Sequence, residues 1–193
     1  KVWINSGSQG PKQIEESRQA WRISRFDLLQ VHNLMAWQAH LPTLFAMKAA
    51  GAVRYVGITT SEGRRHDLLE QIMRNEPIDF VQFSYNVVDR EAEARLLPLA
   101  SERGIAVIVN RPFRQGALTD RLKGKPLPEW AAELGVSSCA QLILKFVLSH
   151  PAVTVAIPAT TRADHVRENL LAAGGPMPDP AMRKRISAHV RAL

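Results

Sequence analysis

The chain has 193 residues, 46% of them hydrophobic, which is enough to bury a sizeable core and too many for a disordered segment. Its 25 Lys and Arg against 18 Asp and Glu leave a net charge of +7, a balance that keeps nucleic acid or an anionic membrane surface open as partners. No run of roughly 18 apolar residues occurs, so a helical membrane span is excluded, and the single cysteine, Cys139, cannot form an internal disulfide. No signal peptide is visible.

In chain order, Lys1 to Ile4 reads as the end of a strand, and Gln13 to Arg22 carries helical spacing through Ile14, Ser17, Arg18 and Trp21. Phe26 to His32 is the next strand. Leu41 to Ala50 reads as a helix closed by Gly51, followed by a strand from Val53 to Ile58. Ser61 starts a helix running to Arg74, and Ile78 to Tyr85 is a strand. A helix from Arg90 to Arg103 is closed by Gly104, which repeats the role of Gly51, and Ile105 to Val109 is again a strand. The segment from Arg111 to Val136 is broken by Pro112, Gly116, Gly124, Pro126 and Pro128, and reads as a long covering loop with one short helix around Trp130. Ser137 caps a buried helix to Ser149, with Cys139 expected as a buried thiol. Val153 to Ile157 is the last strand, a helix begins near Thr161, and Asp179 to Ala192 forms a terminal helix.

The first five strand starts, near Val2, Asp27, Arg54, Asp79 and Ile105, lie 25 to 27 residues apart, the period of a βα unit. Five strands end on polar residues: His32; Thr59 and Thr60; Gln82 and Asn86; Asn110; Thr160 and Thr161. In a (β/α)8 TIM barrel the carboxyl ends of the strands carry the chemistry, so the pattern names both a fold and a face. Such a barrel takes about 250 residues and eight strands, whereas this chain shows six, which leads to the expectation of one barrel domain over residues 1–193 that lacks its first two βα units.

Several stretches together resemble the aldo-keto reductase family. They are Lys-Val-Trp at 1–3, Phe-Asp-Leu-Leu-Gln-Val-His-Asn at 26–33, Gly-Ala-Val-Arg-Tyr-Val-Gly-Ile-Thr at 51–59, Phe-Val-Gln-Phe-Ser-Tyr-Asn at 80–86, Ile-Pro-Ala-Thr-Thr at 157–161 and Glu-Asn-Leu at 168–170. The resemblance implies an NADP-dependent oxidoreductase that reduces aldehyde or ketone carbonyls by hydride transfer without a metal. It matches Lys1 and His32 to the family's catalytic lysine and histidine, and places the catalytic Asp and Tyr upstream of Lys1. Hydride arriving at a carbonyl carbon builds charge on oxygen, which needs a proton or a strong hydrogen bond. A tyrosine titrating near 10 needs an adjacent ammonium to approach working pH, the part given to Lys1, while neutral His32 orients the carbonyl.

The same resemblance assigns the cofactor, NADPH ahead of NADH. Thr59, Thr60 and Gln82 face the nicotinamide carboxamide, with Thr-Thr standing where relatives often carry Ser-Asn. Asn110 stands where many relatives stack a Tyr or Trp on the ring. Arg111, Phe113 and the backbone at Gly116 neighbour the pyrophosphate. Thr160 and Thr161 precede a helix start, where Thr161 with Asp164 has the pattern of a capping box that favours phosphate. Arg162 is placed for a 2′-phosphate, His165 stands where relatives often have arginine, and Glu168 with Asn169 matches an adenine-contacting pair. Ala159 lacks a charge that some NADPH-specific relatives carry.

Two other classes compete. The basic residues, among them Arg64, Arg65, Lys123, Lys125, Arg183, Lys184 and Arg185, are scattered and accompany no nucleic-acid-binding motif, which favours a solvated surface with an electropositive cofactor channel. A catalytically inactive nucleotide-binding barrel fragment with a regulatory or partner-binding role is the other. The expected partner is a small carbonyl substrate, with no specific nucleic acid and no membrane, in a cytoplasmic setting that the single thiol suits. Neither the substrate nor the oligomeric state is written in these residues.

Overall fold

The computed structural model describes all residues, 1–193. Five strands, β1 (Phe26–Val31), β2 (Val53–Thr59), β3 (Phe80–Ser84), β4 (Ala106–Asn110) and β5 (Val155–Ala156), are interspersed with helices. The helices are α1 (Gly10–Trp21), α2 (Trp37–Ala49), α3 (His66–Asn75), α4 (Leu96–Arg103), α5 (Ala117–Leu122), α6 (Cys139–Leu148), α7 (Ala163–Leu171) and α8 (Pro180–Ala192). Strand order is chain order, as repeated βα units produce when each crossover returns the chain to start a parallel neighbour. This is the architecture of part of a (β/α)8 barrel.

The chain divides into two compact units, the first comprising residues 1–83 and 98–107. Here β1 pairs with β2 in parallel, Phe26 opposite Val53 and Val31 opposite Ile58, and β2 pairs with β3, placing Thr59 opposite Gln82. That register brings the polar strand ends to one level. The strand expected at Lys1 to Ile4 is a single bridge from Val2 to Val31. Val2 N–H donates to Gln30 O and His32 N–H to Val2 O, both at 2.9 Å, before the chain turns into α1. α1 starts three residues earlier than its apolar spacing suggests because Pro11 sits in its first turn, where a missing N–H costs nothing. Gly51, at φ +76°, ends α2 in the left-handed conformation as expected. α3 begins at His66 and not at Ser61: Glu62, Gly63 and Arg65 all have positive φ, so residues 61–65 turn before they coil. Asp79 locks the lower end of this unit, accepting Lys48 Nζ at 2.7 Å and the Val56 N–H at 2.8 Å.

The second unit comprises residues 84–97 and 108–193. Within it β4 pairs with β5 through Ile108 opposite Val155 and Val109 opposite Ala156. β5 is two residues long where five were expected, and the following Pro158, with no N–H, cannot extend the ladder. The stretch 111–136 carries more structure than one short helix: a 3-10 turn at Arg114–Gly116, α5, and a second 3-10 turn at Glu129–Leu134. Buried Leu118, Leu122, Ala131 and Leu134 hold it down. α6 is capped by Ser138, whose hydroxyl accepts the Gln141 N–H at 3.2 Å, and not by Ser137. Cys139 in its first turn is half-buried and not fully buried as expected, and loss of solvent pushes its thiol pKa up. The single helix expected over Arg90 to Arg103 is a 3-10 turn, Glu91–Glu93, followed by α4.

α8 is tied down by a buried cluster. Arg183 donates to the Tyr85 hydroxyl at 2.6 Å, Glu93 Oε1 at 3.0 Å, Ser149 Oγ at 2.9 Å and the Phe146 carbonyl, with its guanidinium 4.2 Å from the centre of the Phe146 ring. The Tyr85 hydroxyl donates to Glu93, and burial together with that bond pushes the phenol well above its ordinary range. Burial pushes the Glu93 carboxyl up, but hydrogen bonds from Arg90 and Tyr85 and the charges of Arg90 and Arg183 outweigh it and leave the pKa lowered.

Candidate active site and cofactor cavity

In the first unit the carboxyl end of β1 delivers His32, half-buried, with Trp3 set edge-on against it at a ring separation of 5.0 Å. Loss of solvent first, then the nearby Lys1 ammonium, lowers the imidazole pKa, so the ring is neutral at neutral pH. Its Nδ1 is buried without a protein partner, as is the Nε2 of Gln30, two residues back on the same strand face. Desolvation also lowers the pKa of the Lys1 ammonium.

The end of β2 delivers Thr59 and Thr60, 1% and 3% exposed. Thr59 Oγ1 accepts the Asn33 N–H at 2.9 Å, fixing the turn that follows His32. Thr60 spends its hydroxyl proton on the Arg64 carbonyl at 2.8 Å, and its N–H donates to the Gln82 carbonyl at 2.8 Å. Gln82 is 5% exposed. One ammonium, one neutral imidazole, two hydroxyls and one amide thus line the strand ends of this unit, a set able to donate to and accept from an uncharged polar group.

The second unit is charged and loop-built. Ser84 donates to Asn110 Oδ1 at 2.6 Å across the ends of β3 and β4. A cavity of about 540 Å³ lies beyond, lined by Arg111, Phe113 and Gly116 from one loop, by Thr160 just before α7, and by His165, Glu168 and Asn169 on α7. Seven of the residues expected at the cofactor therefore share one cavity, whereas Thr161 and Arg162 are exposed and off its lining.

The expected capping box at the start of α7 is not formed. Arg162 occupies the N-cap position, where its guanidinium has no acceptor with which to cap the helix, and it pairs with Asp164. The Asp164 carboxylate takes the Arg162 guanidinium at 2.5 and 3.1 Å, and that pairing holds the Asp164 pKa well below the usual carboxylate range. Thr160 does the local work: its Oγ1 accepts the Arg162 N–H at 3.1 Å and lies 3.3 Å from His165 Nδ1. Gln141 Nε2 donates to the Glu168 carbonyl at 3.1 Å, fixing α7 to α6. Sequence reasoning gave no role to Asn86 or Asp89, which grip the loop at Arg111; the signal was Asn86 standing as a polar residue just past a strand end.

The aldo/keto reductase family model matches residues 8–186, and the chain belongs to that family. An uncharacterized oxidoreductase of Schizosaccharomyces pombe is 32% identical over 155 residues, covering 79% of this chain and 48% of that protein. The NADH-specific methylglyoxal reductase of Escherichia coli is 27% identical over 127 residues, covering 61% of this chain and 37% of that protein. Among solved structures, the holo form of an aldo-keto reductase from Bacillus halodurans superposes with a TM-score of 0.77 at 22% identity, over 96% of this chain and 68% of that one. That likeness shows the fold. The chain spans about half or less of the length of these two curated relatives.

Proposed function

We propose that the protein is a nicotinamide-dependent oxidoreductase that reduces aldehyde or ketone carbonyls to alcohols, its 193 residues belonging to one barrel domain. The observation that carries this reading is His32: a neutral, partly buried imidazole at a strand's carboxyl end, beside the Lys1 ammonium and against Trp3, in a chain of this family. The residues present also fit the cofactor. A cavity of about 540 Å³ is of the size small-molecule sites take, and its lining offers a cation, a glycine turn and the polar residues of α7.

A bound reduced nicotinamide supplies the hydride. His32 would donate a hydrogen bond to the carbonyl oxygen and orient it, and Lys1 would supply the positive charge that lowers the pKa of a tyrosine phenol, which gives its proton to that oxygen and is left as the phenolate. Thr59, Thr60 and Gln82 would hold the carboxamide, and Asn110 would hold the ring through polar contact or packing, having no aromatic face to stack. Arg111, Phe113 and the backbone at Gly116 hold the pyrophosphate, while Thr160, His165, Glu168 and Asn169 hold the adenosine. Arg162, with Thr161 beside it, meets a 2′-phosphate, which favours NADPH over NADH, although it must leave Asp164 to do so. The setting is cytoplasmic, suited to the unpaired Cys139.

Fluorescence titration of NADPH and NADH into the protein made from its natural reading frame, followed by a panel of aldehydes and ketones, tests the reading. Saturable quenching or enhancement with carbonyl-dependent oxidation of the cofactor is expected. Binding without turnover of any carbonyl supports the inactive, regulatory alternative instead, and no binding of either nucleotide overturns both.

A further inference from the structure

Asn86 is 0% exposed, just past β3, and none of the roles above uses it. Its Oδ1 accepts the N–H groups of Val88 at 3.0 Å and Asp89 at 2.8 Å, and its own N–H donates to the Asp89 carbonyl at 3.1 Å. Its Nδ2 then donates twice, to Asp89 Oδ2 at 2.9 Å and to the Arg111 carbonyl at 3.3 Å. That carbonyl also closes the turn above it by accepting the Arg114 N–H at 2.9 Å. Asp89 Oδ2 completes the ring by pairing with Arg114 Nε at 3.3 Å.

The loop so gripped is in an unfavourable conformation. Arg111, Arg114 and Gln115 have φ of 53°, 51° and 57°, the left-handed region that side chains other than glycine avoid. Three such residues within five persist only where the surroundings over-determine them. The outcome of the grip is selective: Arg111, Phe113, Gln115 and Gly116 line the cavity, and Arg114, drawn back to Asp89, does not.

We propose that Asn86 and Asp89 are positioning residues that hold the loop from Arg111 to Gly116 in its cofactor-receiving shape, turning Arg111 to the cavity and withholding Arg114. The proposal rests on the nicotinamide-cofactor reading. It differs from a merely electrostatic account in sign. Removing the Asp89 carboxylate makes the neighbourhood more positive, which by charge alone should tighten a phosphate-bearing ligand. A positioning role makes the same change weaken it.

The test uses the protein from its natural reading frame, with thermal melts alongside to fix a temperature at which each variant is folded. Dissociation constants are measured for NADPH, for 2′-phospho-ADP-ribose and for reduced nicotinamide mononucleotide in wild type, Asn86→Ala, Asp89→Ala, Arg114→Ala and the Asp89→Ala/Arg114→Ala pair. Asn86→Ala should weaken NADPH and 2′-phospho-ADP-ribose by the same factor, roughly tenfold, and leave the mononucleotide unchanged. Asp89→Ala should weaken NADPH by roughly threefold, and the double variant should be no worse than the worse single one. Should Asn86→Ala not fold, the partly exposed Asp89 and Arg114 carry the test alone. Unchanged or tighter NADPH binding in Asp89→Ala overturns the proposal while leaving the function standing. Failure of wild type to bind any nicotinamide nucleotide overturns the function and this inference with it.

Discussion

The two compact units hold their candidate residues by opposite means. In the first, His32, Thr59, Thr60 and Gln82 sit at the ends of paired strands, buried or half-buried, and their bonds run to backbone groups such as Asn33 N–H and Arg64 carbonyl. In the second, apart from Asn110 at the end of β4, the corresponding residues sit on a loop with positive φ and at or on an exposed helix, held by side-chain hydrogen bonds such as Asn86 to the Arg111 carbonyl and by ion pairs such as Asp89 to Arg114 and Arg162 to Asp164. A ladder positions neutral groups rigidly and resists salt, whereas ion-paired loops place charge where an anion can compete for it. On the proposed function, that division puts the chemical step and the hold on the carboxamide in the first unit, and the hold on the phosphates and the choice of nucleotide in the second.

The largest expected break in this division is His32→Ala. It should lower kcat/KM by roughly a hundredfold or more through loss of the carbonyl donor, while NADPH affinity stays within about twofold in a fluorescence titration. A parallel loss of affinity would show that the two units do not share the work this way.

Stability separates the units next. Glu93→Ala removes the one carboxylate that Arg183 and Arg90 share in the second unit, and should cost about 3 kcal/mol, read from the urea midpoint. In the first unit, Gly57→Ala puts a Cβ 2.6 Å from the Phe80 carbonyl oxygen on the neighbouring strand, a backbone contact that no rotamer relieves. It should cost about 2 kcal/mol by the same assay.

Acid adds a third contrast. His32 is held below its ordinary value by burial and Lys1, and His150 by burial and the charge of Arg183. A histidine whose folded pKa is depressed contributes stability that is present above the unfolded value near 6.5 and is lost as pH falls through the folded value. Glu93 adds a second window at lower pH, present above the ordinary carboxylate value and lost as pH falls through its own lowered one. Urea midpoints should therefore decline below about pH 6.5 and decline again in the carboxylate range, and His150→Gln should flatten the upper step.

The smallest effect concerns nucleotide choice. Asp164→Asn releases Arg162 from its surface pair, and should shift the ratio of NADPH to NADH affinity toward NADPH by roughly twofold to fivefold, an advantage that shrinks at high salt.

Much of the first unit was legible because strand ends follow from period and alternation. Val53 to Ile58 and Phe26 to His32 lie within a residue of the observed β2 and β1, and Gly51 and Gly104 end their helices in the left-handed conformation. The first bridge at Val2 was overread as a strand because the apolar run Val2, Trp3, Ile4 resembles a strand end, while only Val2 pairs. In the second unit, legibility failed where side chains compete for partners. Thr161 and Asp164 have the spacing of a capping box, but the adjacent Arg162 offers the carboxylate two N–H groups at once, and Thr160 then serves the backbone in its place. The segment 111–136 was legible as punctuated but not as folded, since α5 spans only six residues and its helix is secured by buried Leu118 and Leu122. Asn86 was visible as a polar strand-end residue, yet its grip on Arg111 depends on a contact 25 residues away that no local pattern encodes.

The most direct test of the proposed function follows a label from cofactor to product. The protein from its natural reading frame is incubated with NADPH carrying deuterium at the transferable C4 position and with each aldehyde it oxidises cofactor against, and the alcohol is examined by mass spectrometry. A singly deuterated alcohol, formed at a much reduced rate by His32→Ala, is the predicted result. Cofactor oxidation that leaves the alcohol unlabelled, or no alcohol with any carbonyl offered, contradicts the assignment of hydride transfer to this site.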